Sequence, residues 1–203
     1  MAVSSPLVVQ TAKAVFPKAH LAIPHASGGV SADADRKINN SIVAHAQKLV
    51  NSQGSLEDPR AEMIGYYELK TNEKDVLSLS LYNYAYTGGA HGMTLQQSLT
   101  FKASTGQAYA LKDLFKPGSD YVARISRIVS EQIKQRGIET LEPFKAISPE
   151  QSFYIADRSL VVYFQLYELA AYVYGFLYFP ISVYDLQNII REDGPLGPMI
   201  VND

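Results

Sequence analysis

Reactive side chains are scarce in this 203-residue chain, and their spacing limits the chemistry they could support. There is no cysteine, which excludes thiol nucleophiles, disulfides and zinc sites built on thiolates. Histidine chemistry has four possible centres, His20, His25, His45 and His91. His20 and His25 bracket Leu21 to Pro24 with no carboxylate nearby, whereas a first-row metal site takes about three or more ligands. His45 sits in a helical pattern beside an apolar position and reads as a core-edge imidazole. No His-Glu-x-x-His spacing occurs, and no cofactor is implied.

His91 belongs to the most distinctive short motif, Thr87-Gly88-Gly89-Ala90-His91-Gly92. Its glycines permit positive φ and close backbone approach, as a tight turn, a bulge or a ligand-cradling loop would need. A phosphate loop would require a lysine and a following helix, and strand-like residues follow instead. A hydrolytic His91 would need a nucleophile and an orienting acid; Ser78, Ser80 and Asp75 are candidates by type alone, and no Gly-x-Ser-x-Gly elbow is present. The motif therefore reads first as a hairpin whose His91 bonds neighbouring backbone, and second as a ligand contact through Gly88, Gly89 and His91. Among the 20 acidic residues, Glu68 and Glu168 stand out at the ends of apolar or aromatic strands, where an edge charge is the plain reading.

Tyrosine is the other unusual resource, with 14 Tyr against 8 Phe and no Trp. Its apolar ring and polar tip suit half-exposed surfaces. Tyr82, Tyr84 and Tyr86 alternate along one strand next to the glycine-histidine motif. A second set lies in the aromatic run from Tyr163 to Phe179, which is denser than a core needs. That run reads as core or as a recognition surface for protein or glycan, with Tyr167, Tyr172 and Tyr174 as candidate contacts.

The elements that must hold these residues follow from periodicity. Leu7 to Ile23 predicts two short strands, or one bent strand, around Pro17. Residues 31–51 predict a helix, with Ile38, Ile42, Ala46, Leu49 and Val50 on one face and Ser31 or Asp33 as N-cap. Residues 60–111 predict an antiparallel meander in which Leu77, Leu79, Leu81 and Ala85 share one strand face and the tyrosines the other. A second helix is expected from Asp120 to Arg136, with Ser119 as N-cap, Gly137 as its stop, and Tyr121, Ile125, Ile128, Val129, Gln132 and Ile133 as its buried stripe. Further expectations are a helical turn at Ser148–Gln151, strands at 153–155, 160–166 and 176–183, a short helix at 184–190, and an extended tail from Gly194. This is an α+β fold with mostly antiparallel sheet and two main amphipathic helices. A boundary is placed in the polar stretch 51–59, giving a small N-terminal α/β part, 1–59, that shares strands with a larger part, 60–203.

A formal charge of −2 removes any general nucleic-acid footprint, and no apolar run is long enough to span a membrane. Met1 to Gln10 shows no signal-peptide pattern, which leaves room for an export signal or anchor outside these residues.

Several phrases, in order, resemble the PdaC/RsiV-like family of bacterial extracytoplasmic domains. They are Phe16-Pro17-Lys18, the helix phrase Ala34 to Asn39, Leu77-Ser78-Leu79 leading through Tyr84-Ala85-Tyr86 into the glycine-histidine motif, Thr105-Gly106, Leu111-Lys112-Asp113-Leu114-Phe115, and Val162 to Gln165 with Tyr167, Glu168 and Tyr172. The resemblance implies a non-catalytic sensor or binding domain of the cell envelope that recognises a lysozyme-like protein or a peptidoglycan fragment. It also implies that deacetylase chemistry, found in some relatives, belongs to a separate metal-dependent domain that 203 residues cannot add. Many relatives carry proline before the tyrosine matching Tyr172, where this chain has Ala171, so that loop is expected to have its own shape. Two alternatives stay open: a cell-wall hydrolase or deacetylase using His91, and a structural accessory domain of a longer envelope protein.

Overall fold

The computed structural model describes residues 5–200 and divides the chain into two compact units, Met1–Ala108 and Tyr109–Asp203. In the first, β1 (Val8–Phe16) and β2 (Ala19–Ser27) form a hairpin in unbroken register from Val8↔Ser27 to Phe16↔Ala19. α1 (Ala32–Asn51) follows, capped by Ser31, whose Oγ accepts the Ala34 N–H at 3.1 Å. Next come β3 (Glu62–Glu73), β4 (Val76–Tyr86), β5 (Met93–Lys102) and β6 (Gln107–Ala108), the expected antiparallel meander. The sheet order is β1-β2-β3-β4-β5-β6. One step departs from the antiparallel reading: β2 runs parallel to β3 over Ala19–Leu21 and Met63–Gly65, and α1 is the crossover between them.

Alternation in β4 organises this unit. Leu77, Leu79 and Leu81 pack with Ile38, Ile42 and Leu49 of α1 and with Leu99 and Phe101 of β5. Full burial of each such side chain stabilises by about 1.5–3 kcal/mol. The apolar face of the meander is thus the surface that α1 covers. The division by compactness therefore falls at 108/109, and the loop 51–59 does not separate two parts as expected. β3 and β4 join through Lys74 and Asp75, both at positive φ (50° and 63°), a primed two-residue turn. The Asp75 carboxylate then accepts the Ser104 N–H at 2.6 Å and Oγ–H at 2.7 Å, tying the next turn to it.

Two asparagines stand in for missing strand neighbours. Past Leu21 β2 leaves β3, and Asn39 of α1 accepts the Ala26 N–H at 2.8 Å while donating to the Ala26 carbonyl at 2.7 Å. Asn72 does the same for Leu7, at 3.0 and 2.8 Å. Each amide closes the two-bond ring that a paired strand would make.

The second unit opens with a 3-10 turn at Leu111–Leu114, where a returning strand at Tyr109–Leu111 was expected; Asp113 accepts the Ala110 N–H at 2.9 Å and turns the chain. α2 (Tyr121–Gln135) is capped by Asp120, not Ser119, through the Ala123 N–H at 3.3 Å, and Gly137 at φ 62° ends it. Ile125 and Val129 are buried on the expected stripe, joined by Ser126. Ser148–Gln151 is a turn and not a helix, although Ser148 donates to Gln151 Oε1 at 3.2 Å as a capping box does.

β7 (Phe153–Ala156), β8 (Ser159–Phe164) and β9 (Leu177–Ser182) form an antiparallel sheet, with a 3-10 turn at Tyr172–Tyr174 between the last two. α3 (Val183–Leu186) follows. The tail is not extended: it turns into α4 (Gly197–Ile200), because Leu196 and Met199 are buried. No helix among the described residues is long and apolar enough to cross a membrane.

Replacing Asn39 by alanine leaves the Ala26 N–H and carbonyl without their side-chain partners. Asn39→Ala is expected to lower the unfolding free energy by about 1–3 kcal/mol in a urea titration, with secondary structure kept.

Candidate functional site

The glycine-histidine loop joins β4 to β5. Gly88 and Gly89 take φ values of 94° and 131°, so only glycine suits them without strain. Asp58 approaches so closely that a Cβ on Gly88 would lie 2.8 Å from its Oδ2. The Arg60 guanidinium bonds this carboxylate at 3.1 Å and lies 5.7 Å from the centre of the Tyr86 ring. It is the hydrogen bond from Arg60, foremost, that holds the Asp58 carboxyl below its usual range. At the root of the loop, Gln53 donates to the Asn83 carbonyl at 2.7 Å and the Met93 carbonyl at 3.2 Å, fixing both strands.

The strand tyrosines brace this loop. Tyr86 donates its hydroxyl to the Gly89 carbonyl at 3.0 Å. The Tyr84 ring occupies the space beside Gly92, where an added Cβ would fall 2.2 Å from it. Tyr82 is only 6% exposed, stacked on Tyr66 with centroids 4.7 Å apart, and donates to Glu68 Oε2 at 2.9 Å. Its expected place on an open contact face is corrected: the ring is spent on packing. His91 is exposed, and its Nδ1 donates to the Gly92 carbonyl at 2.9 Å, as the hairpin reading expects. Among the described residues no group of three or more acids and histidines could hold a metal ion.

In the second unit the tyrosines divide. Tyr154, Tyr163 and Tyr178 share one face of the sheet, with centroids 5.9–6.1 Å apart, and Tyr163 is fully buried. Tyr174 is half-buried, its hydroxyl accepting the Glu139 N–H at 3.2 Å, so it holds a loop. Tyr167 and Tyr172, 46% and 38% exposed, lie 5.4 Å apart and form an open aromatic ledge. The same loop carries Val173, 87% exposed, and Leu141, also exposed, joins the loop through its N–H to the Leu169 carbonyl at 3.0 Å. Sequence reading missed both; an aliphatic side chain carries no signal of its own until the turn that exposes it is known.

The ledge rests on an unusual backbone. Tyr167 sits at φ 64°, left-handed space that a bulky aromatic seldom occupies. Glu168 fixes that turn by accepting the Gln165 N–H at 2.6 Å, which gives the second singled-out acid a local structural task. Ala171 lies at φ −61° and ψ 154°, the basin a proline takes, so its loop keeps the shape expected of relatives with proline there.

Comparison with known proteins agrees with this anatomy. Residues 11–94, inside the first unit, match the profile of deacetylase PdaC, and residues 112–184, inside the second, match a family described as protein of unknown function, DUF3298. The chain belongs to the PdaC/RsiV-like DUF3298 family. Anti-sigma-V factor RsiV of Bacillus subtilis is 29% identical over 183 residues, covering 82% of this chain and 63% of RsiV. The peptidoglycan-N-acetylmuramic acid deacetylase PdaC of the same organism is 25% identical over 140 residues, 66% of this chain and 30% of PdaC. This family member therefore spans less than two thirds of either curated relative. Two solved DUF3298 proteins share the fold at 14% identity. One, from Bacteroides fragilis, has a TM-score of 0.70 over 98% of this chain and 97% of its own. The other, from Pseudomonas aeruginosa, has 0.67 over 93% and 96%.

Beside the buried Tyr82 of this DUF3298 protein, Glu68 accepts hydrogen bonds from Lys70 at 2.5 Å and Tyr82 at 2.9 Å. Lys70 is the main reason its carboxyl sits below the ordinary 4.5, with partial burial opposing. A lowered folded-state value means stability present above 4.5 and lost as pH falls through the folded value. Glu68→Gln should cost about 0.5–1 kcal/mol at neutral pH, and the gap to the parent should close as melting is followed from pH 7 to pH 3.

Proposed function

We propose that this chain is a non-catalytic, envelope-facing binding domain that recognises a protein of the lysozyme kind, with cell-wall glycan as the alternative ligand. The observation that carries the reading is the ledge of Tyr167 and Tyr172. A buried aromatic repays its place by packing, but Tyr167 holds a backbone state costing about 1–2 kcal/mol and still leaves its ring largely in water. Strain kept at an exposed aromatic fits a contact whose return comes on binding. The exposed loop of Gly88, Gly89 and His91 is the second contact in this reading, with its glycine backbone and imidazole open to solvent. Kinship with an anti-sigma factor supports a protein partner, and kinship with a peptidoglycan deacetylase supports an envelope setting.

Calorimetric titration against lysozyme and, separately, against soluble peptidoglycan fragments tests the proposal. Saturable binding to one of them is expected, weakened about tenfold or more by Tyr172→Ala or Tyr167→Asn. Tyr167→Asn should melt at the same temperature as the parent or higher, because asparagine tolerates left-handed backbone. Failure to bind either ligand overturns the reading in favour of an accessory domain. Turnover of a cell-wall substrate that His91→Ala abolishes overturns it in favour of an enzyme.

A further inference from the structure

Strand edges in this molecule are treated unequally. The free side of β9 is closed: Gln132 and Arg136 of α2 donate to the Pro180 and Tyr178 carbonyls, each at 2.8 Å, and Pro180 has no N–H to offer. β6 is only two residues long and β7 only four, too short to template another strand. β1 has none of these protections. It presents nine residues in unbroken register with β2, with no proline and no bulge, and no strand pairs its outer side among the described residues. Val8, Val15 and Phe16 are exposed along it, and Lys13 is its single charge.

The order of residues within β1 selects what could pair there. Val8-Val9-Gln10-Thr11-Ala12-Lys13-Ala14-Val15-Phe16 is close to a palindrome in character. An antiparallel copy centred on Ala12 sets Val8 against Phe16, Val9 against Val15, Gln10 against Ala14 and Thr11 against Lys13. Both ends meet apolar on apolar, as stabilising cross-strand pairs do, and the lysine faces a hydroxyl and never its own copy. A strand edge needs another strand to satisfy its amides, and this pattern complements itself.

We propose that β1 is a homodimerisation edge, pairing antiparallel with β1 of a second copy about a two-fold axis at Ala12, so that the two sheets become one. Such an interface is isologous and closes at two copies, leaving no β1 edge to propagate. Small size makes it a concentration-dependent dimer and not an obligate one.

Ala12 supplies the test, since it is exposed and meets itself at the axis. Sedimentation equilibrium of the parent should show a monomer–dimer equilibrium. Ala12→Lys places two like charges in direct opposition and should weaken association about tenfold or more, with an unchanged circular dichroism melt. Because the chain has no cysteine, Ala12→Cys reports contact directly. Opposed strand residues lie about 4.5–5.5 Å apart, within disulfide reach, so mild oxidation should crosslink it far faster than Lys48→Cys on α1. A parent that stays monomeric at all concentrations, a dimer indifferent to Ala12→Lys, or equal crosslinking of the two cysteine variants would each overturn the proposal.

Discussion

The burial of one aliphatic stripe is the constraint on which the first unit rests. Leu77, Leu79 and Leu81 must leave water together because a strand puts every second residue on the same side. α1 is the only helix of that unit among the described residues, and it supplies Ile38, Ile42 and Leu49 as the matching face. From that pairing the rest follows. The crossover that carries α1 over the sheet places β2 parallel to β3, and the opposite face of β4 is left to Ser78, Ser80 and the tyrosines. The glycine loop then leaves β4 beside residues already occupied in bracing it.

The second unit solves the same problem with fewer strands. Its sheet of β7, β8 and β9 has an aliphatic and phenylalanine face and a tyrosine face, and α2 serves it twice. One side of the helix buries Ile125 and Val129, while Gln132 and Arg136 reach the carbonyls of β9. The Arg136 guanidinium also lies 5.0 Å from the centre of the Phe179 ring, so one side chain closes a strand edge and covers an aromatic.

Features with a local cause were legible in the sequence, and those set at long range were not. The period of α1 and the alternation of β4 are local, and both elements stand where the residues place them. The parallel step from β2 to β3 depends on residues 40 or more apart, and no short-range pattern encodes it. The tail misled for a related reason: Gly194-Pro195-Leu196-Gly197-Pro198 looks extended, yet burial of Leu196 and Met199 outweighs that composition. At the candidate site, tyrosine density pointed to the correct region but could not separate rings by exposure. Tyr163 and Tyr167 are four positions apart, one fully buried and one on the ledge, and the difference comes from a turn whose left-handed residue carries no glycine to announce it.

The contact between Tyr84 and Gly92 also fixes an order of events over evolutionary time. The ring stands in the volume that any larger residue at 92 would need, so the two positions are not free to drift separately. A lineage can shorten residue 84 first and enlarge residue 92 afterwards, passing through an under-packed but unobstructed intermediate. The reverse order runs through a steric clash at the foot of the loop. The glycine is therefore held in place less by its own conformation than by the history of its neighbour, and variation in this loop should enter through the strand before it reaches the turn.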